Sequence, residues 1–398
     1  MKALIYTRRV LFFVAAILTV CTTSCSDTDA GIFSRVQAEK STTDTMTAAI
    51  QNATPSFVVC LGTTYYAGIG TLWNKTDDAE TWSIATVPVS PDGTVFASSG
   101  AVINVSGTDT LFVAFSYSTG SSLGIWSTIN GADWIQVDAA FPATGYLRTL
   151  LAANDLLFAV TATSALVDTV LTEFYSIYYF DGTSFVTAGI TDDSTIGMPS
   201  SVAYDNSAYW FTAGDKILTG VSPGSLSEAT EPTDGSRYAG VCAAGTDIII
   251  SSRSGFLYHY NGTSWTNSYV FASSASKAYS LSTPTYFELD TAKTLLVGTN
   301  KISLASVTPP AYGYLEFDLS SSFTADIQQK SGDTALSTAI NFASSLSGIS
   351  VNAMPFFDSG ATKKVFALTD GDGLWSNTYE DDPDTATTDL VWGGWVRE

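Results

Sequence analysis

A short apolar run recurs seven times along this 398-residue chain at nearly regular intervals. It reads Thr64-Tyr65-Tyr66-Ala67-Gly68, Thr110-Leu111-Phe112-Val113-Ala114 and Leu156-Leu157-Phe158-Ala159-Val160, then Ala208-Tyr209-Trp210-Phe211-Thr212 and Asp247-Ile248-Ile249-Ile250-Ser251. The last two copies are Thr294-Leu295-Leu296-Val297-Gly298 and Val365-Phe366-Ala367-Leu368-Thr369. Between first residues the intervals are 46, 46, 52, 39, 47 and 71 residues. A first apolar strand precedes the run, as in Phe57-Val58-Val59-Cys60-Leu61, and a polar turn such as Gly62-Thr63 or Gly245-Thr246 joins them. A glycine and a third strand follow, as in Gly124-Ile125-Trp126-Ser127, and then an aromatic residue opens a fourth. The runs lack strict apolar–polar alternation. Such strands belong to sheets that are covered on both faces.

Four short strands repeating every ~40–50 residues make up one blade of a β-propeller. The chain is therefore expected to be all-β, a seven-bladed propeller over residues 55–398. Eight and six blades are the alternatives, because Ser303 to Ser347 has room for an extra partial blade. Composition agrees, with 13% aromatic and only 14% charged residues. Each blade runs from inner to outer strand in chain order, from Phe57 to the strand at Trp395–Arg397. The ring should then close by apolar packing rather than by a strand borrowed from the N-terminus.

The turn between third and fourth strands resembles the Asp box of BNR-like propellers, roughly S-x-D-x-G-x-T-W. Blade one matches at Asp77, Thr81 and Trp82, and blade two at Ser127, Gly131 and Trp134. Blades three and five keep Gly182 with Phe185 and Gly262 with Trp265. The resemblance implies a structural role: the acid ties down turn amides and the indole plugs the layer between strands. It also implies that the box lies away from the functional face. Related xyloglucan hydrolases carry two propellers, and this chain is too short for that.

Lys2, Arg8 and Arg9 lead into the apolar run Val10 to Val20 and then Thr22-Thr23-Ser24-Cys25. The run is shorter than the ~20 residues a bilayer span requires. It resembles a bacterial lipoprotein signal: residues 1–24 are removed, Cys25 is acylated, and residues 25–54 form a Ser/Thr/Asp-rich tether. Cys21 is a rival acceptor. Acyl chains on Cys25 would anchor the protein in the cell envelope, with Ser26 favouring the outer membrane. Loss of Lys2, Arg8 and Arg9 takes the net charge from −21 to −24. That field disfavours nucleic acid and anionic lipid head groups. Cys60 and Cys242 fall in separate blades and read as buried free thiols rather than a disulfide.

Catalytic chemistry is sparse. The single histidine, His259, lies in a predicted strand between tyrosines and reads as a hydrogen-bonded ring rather than a base. A sialidase-type site needs three arginines, a tyrosine–glutamate pair and an acid. Outside the tether and the C-terminal strand the chain offers Arg148, Arg237 and Arg253. Other glycoside hydrolases need two carboxylates across a cleft, and no linear pattern singles out such a pair. Asp370 and Asp372, with Glu380-Asp381-Asp382-Pro383-Asp384, invite a calcium reading. Neither loop has EF-hand spacing, so an ordinary turn and a solvated loop are preferred and no cofactor is assigned. The expected function is a non-enzymatic scaffold, monomeric, that binds an envelope protein or a glycan and touches the membrane through its lipid alone. A glycoside hydrolase on the same fold is the alternative. Replacement Cys25→Ala should abolish labelling by a radioactive fatty acid and release the protein to the soluble fraction. Label that persists in that variant and disappears in Cys21→Ala would move the cleavage site.

Overall fold

The computed structural model describes residues 53–79, 81–88, 94–117, 121–232, 236–269, 279–289, 292–301, 313–319, 346, 348–359, 362–381, 390–392 and 394–398. Contacts divide the chain into Met1–Thr45 and Met46–Glu398. The signal, Cys25 and the tether as far as residue 52 lie outside the described residues, as does most of Ser303 to Ser347. The rest is a seven-bladed β-propeller. Its antiparallel sheets cover 57–84, 95–137, 146–187, 199–228, 238–269, 279–318 and 351–397.

Each of the seven recurring runs is the second strand of its sheet, the position with a neighbour on either edge. Its two faces also go to different blades, which removes the alternation. In blade one, Tyr65 and Ala67 pack toward Phe366 and Leu368 of blade seven, whereas Tyr66 packs toward Leu111 and Val113 of blade two. Blades one to five have four strands in chain order. Blade six has three among the described residues. In blade seven the inner position is split into Val351–Ala353 and Phe356–Asp358, and the outer into Leu390–Trp392 and Val396–Arg397.

The innermost strand pair shifts register in blades two to seven, at Ala97/Ser99, Val160/Thr161, Pro199/Ser201, Tyr238/Gly240, Leu281/Pro284 and Val351/Ala353. Two of these bulges aim a hydroxyl at the next blade. Ser99 Oγ accepts from Leu150 N at 2.9 Å, and Ser201 Oγ accepts from Val241 N at 2.7 Å. From the neighbouring second strand, Ser251 Oγ donates to Ser282 O at 2.6 Å. Cys60 and Cys242 lie on inner strands as free, half-buried thiols, less covered than expected. Burial, with Asp77 nearby, pushes the Cys60 thiol up to about 11.

Closure of the ring joins blade one to blade seven. Val58, Tyr65, Trp73 and Trp82 share a core with Phe366, Leu368 and Leu374. Polar ties surround it. Asp77 accepts from Tyr65 Oη and from the buried Lys364 Nζ of blade seven, both at 3.1 Å. Glu398 accepts from Lys75, Ser376 and Trp82 Nε1, the last at 2.8 Å. Ala53 and Thr54, at the end of the stretch assigned to the tether, touch blade seven: Gly373 N donates to Ala53 O at 3.1 Å, and Thr54 Oγ1 to Asp370 at 3.4 Å.

Burial works to raise the Asp77 pKa, but hydrogen bonds from Thr362, Lys364 and Tyr65 and the Lys364 charge outweigh it and hold the carboxyl below its ordinary value. A depressed folded-state value means full stabilisation above the unfolded-state pKa, lost as pH falls through the folded one. Asp77→Asn should therefore lower the melting temperature at neutral pH, and the gap to the parent should close in acid, below about pH 4. A gap that is constant with pH would show that the Asp77 charge does not hold the closure.

Candidate functional site

Strand alternation sorts the turns onto two faces. Turns between first and second strands, and between third and fourth, share one face. Turns between second and third strands share the other with the connections between blades.

The box turns lie on the first face, and their aromatic residues have a common task. Each reaches the chain leaving the preceding blade. Trp82 Nε1 donates to Glu398 beyond blade seven, Trp134 Nε1 to Thr86 O beyond blade one at 2.9 Å, and Trp265 Nε1 to Thr230 O beyond blade four at 3.0 Å. Phe185 takes Asp138 Oδ2 of blade two on its backbone N–H at 3.2 Å and stacks on Phe141, centroids 4.4 Å apart. Gly131 (φ +71°) sits where an added Cβ would fall 1.8 Å from the Tyr66 hydroxyl of blade one. Gly182 and Gly262 have φ of +100° and +85° in their turns. Ser127 Oγ donates to Ile135 O at 3.5 Å across its own hairpin, and Thr81 is exposed.

The amide-capping role expected of Asp77 falls to residues the box pattern passed over. Asp181 takes Thr183 N and Ser184 N, both at 2.8 Å; Asn261 takes Thr263 N and Ser264 N; Asn130 takes Ala132 N and Asp133 N. The pattern is Asp/Asn-Gly-x-x-aromatic, which was readable in the sequence. Asp77 instead serves ring closure.

The other face holds a cavity of about 300 Å³ where the inner strands of blades four and five begin. Its lining includes Met198, Ser200 and Asp215 of blade four, Arg237 and Arg253 of blade five, and Tyr175 of blade three. Arg237 and Arg253, two of the three arginines singled out above, thus come together, joined by Arg253 N donating to Arg237 O at 2.8 Å. The third, Arg148, pairs with Glu173 in blade three. Hydrogen bonds from Tyr146 and Tyr175, with Arg148, hold the Glu173 carboxyl below its ordinary value. Burial and that carboxylate push the Tyr175 hydroxyl up to about 12.

A second cavity, about 440 Å³, opens on the box face among the inner strands of blades three to six and is lined by Asn154, Tyr204, Asn206, Cys242 and Tyr286. His259 Nε2 lies 2.6 Å from Asp247 Oδ2, a hydrogen-bonded ring within blade five. Asp370 and Asp372 sit in the turn between the second and third strands of blade seven, and Asp382 to Asp384 lie outside the described residues. Among the described residues no three His, Cys, Asp or Glu side chains converge.

The most conspicuous surface feature is a hairpin in blade three. Its strands, Leu156–Val167 and Val170–Phe180, outrun their neighbours: the inner strand pairs only as far as Ala162, and the outer only with residues 178–180. Asp168 and Thr169 form a two-residue turn, both with left-handed φ (48° and 70°). At the tip Leu166, Val167, Val170 and Leu171 are 74%, 44%, 64% and 69% exposed.

The fold is similar to that of an ancestral GH74 enzyme, with a TM-score of 0.57 and 11% identity over 87% of this chain and 47% of that one. It is also similar to YCF48 from Cyanidioschyzon merolae, with a TM-score of 0.50 and 13% identity over 82% of this chain and 95% of that one. This chain thus spans about half the length of the GH74 enzyme. No family model and no curated protein matches it. At these identities the likeness establishes the propeller fold alone.

Replacing Trp82 by Ala should cost about 3–5 kcal/mol in urea denaturation, the range for a buried large aromatic. Trp134→Ala should cost less, because that ring is half-exposed. Equal costs would mean that the indole hydrogen bond, rather than ring burial, carries the tie between blades.

Proposed function

We propose that this chain is a lipid-anchored propeller of the bacterial cell envelope that binds a protein partner, with the blade-three hairpin as its docking element. The observation that carries this reading is the exposed tip of Leu166, Val167, Val170 and Leu171. Four aliphatic side chains in water on one two-stranded projection are costly and invite covering by apolar surface. The tip has no aromatic ring on which a sugar could stack, which favours a protein over a glycan. From Ala165 to Thr172 the ribbon pairs only with itself among the described residues, so its strand edges there are also available to a partner backbone.

Chain direction adds geometry. The first strand starts on the face of the interblade connections, so the chain enters the ring at Ala53 on the face from which the hairpin projects. The alternative, a glycoside hydrolase, needs two facing carboxylates, whereas the arginine-lined cavity presents Asp215 as its acid among the described residues.

The test is capture from native membranes by the full-length lipidated protein carrying a photo-crosslinker at Val167. A specific protein adduct is expected. The Leu166→Ser/Leu171→Ser variant should reduce its yield by about tenfold or more, the effect of removing a central apolar anchor, with an unchanged melting temperature. Equal capture by parent and variant would overturn the hairpin as the docking element.

A further inference from the structure

We infer that the cavity lined by Arg237 and Arg253 is a binding site for a small ligand bearing an oxyanion, a carboxylate, sulfate or phosphate group. This goes beyond the protein-docking reading and does not depend on it. The argument begins with charge. Acids outnumber bases 38 to 17 in this chain, and five of the described Lys and Arg side chains find carboxylates. Lys75, Arg148, Lys216, Lys293 and Lys364 each form an ion pair with Asp or Glu. Arg237 and Arg253 form none among the described residues, yet they line the same cavity from backbone positions joined by a hydrogen bond. Two like charges side by side repel, and in so acidic a protein pairing is the easier arrangement.

The rest of the lining sharpens this. Ser200 Oγ is committed to Thr212 and to Ala239 O, and the Tyr175 hydroxyl to Glu173 Oε2 at 2.5 Å. Glu173 is in turn neutralised by Arg148, so its charge does not cancel the cavity's. Asp215 is the opposing charge in the lining and forms no ion pair with either arginine among the described residues. The guanidinium groups are thus the donors left for a ligand, and their planar forks match the paired oxygens of a carboxylate or phosphate. Part of the wall is bare backbone: Gly197 and Gly214, both in the lining, approach so closely that a Cβ on either would fall 2.6–2.7 Å from the other's Cα. A volume of about 300 Å³ suits a single sugar-sized molecule, and Met198, 39% exposed, supplies an apolar wall.

Ligand-observed NMR on the full-length protein tests this with four probes: glucuronate, sulfate, inorganic phosphate and neutral glucose. Glucuronate, sulfate or phosphate should bind in a salt-sensitive way while glucose does not, and the preferred anion identifies the group the site is built for. Arg237→Ala and Arg253→Ala should each weaken binding by about tenfold or more, the worth of a hydrogen bond between charged groups. Asp215→Asn should tighten it. Both arginines are exposed, so neither variant should unfold the ring, and an unchanged melting temperature checks this. Failure of all three anions to bind, or anion binding unaffected by both arginine substitutions, would overturn the proposal. Capture through the hairpin is read separately, with Leu166→Ser/Leu171→Ser expected to leave anion binding unchanged.

Discussion

A propeller blade is a sheet with two apolar faces and no means of covering either one itself. Everything else in this molecule follows from the contact between consecutive blades. The Tyr65–Tyr66–Ala67 run shows the constraint at its smallest scale: neighbouring residues on one strand are buried by different blades. The contact is reinforced at two radii. Near the axis, serine hydroxyls at or beside the inner-strand bulges reach backbone groups of the next blade. Near the rim, the aromatic residue opening the outer strand reaches the chain leaving the blade before it. The apolar layer supplies most of the energy, being proportional to the area covered. The directional bonds fix how far and at what angle one blade sits on the next.

Ring closure is the one junction at which no chain connection passes from one blade to its neighbour, and both ion pairs that bridge two blades among the described residues lie there. Asp77 with Lys364 and Glu398 with Lys75 and Trp82 stand where a continuous chain would otherwise enforce proximity. The Asp-box position in blade one therefore serves closure rather than its own turn. In blades two, three and five the turn is capped by Asn130, Asp181 and Asn261 instead. These lie four residues before the aromatic, where the glycine that follows permits left-handed φ.

This division explains what could be read in the chain. Second strands were legible because two-sided burial removes alternation, and that signal is local. The rim aromatics were legible as a motif, but not as ties, since their partners Glu398, Thr86 and Thr230 lie far away in sequence. The interval between the second strands of blades three and four is 52 residues. It is accommodated by the extended hairpin, whose Val-Asp-Thr-Val turn lacks the usual glycine and so gave no hairpin signal. Arg237 and Arg253 were visible as scarce arginines, and only the register of the strands from which they extend brings them to one cavity.

The two faces have unequal freedom to carry function. On the box face the third-to-fourth turns of blades one, two, three and five are bound to the blade behind them, so lengthening or redirecting one would break a tie that holds the ring. On the opposite face the Asp168–Thr169 turn of blade three bonds only within its own hairpin among the described residues. The hairpin of blade three, the arginine cavity and the entry of the chain at Ala53 are all found there. Loops released from structural duty are where recognition can accumulate on a rigid scaffold. The physical requirement that stacks the blades thus also bears on the face where we propose that a partner and an anion are met.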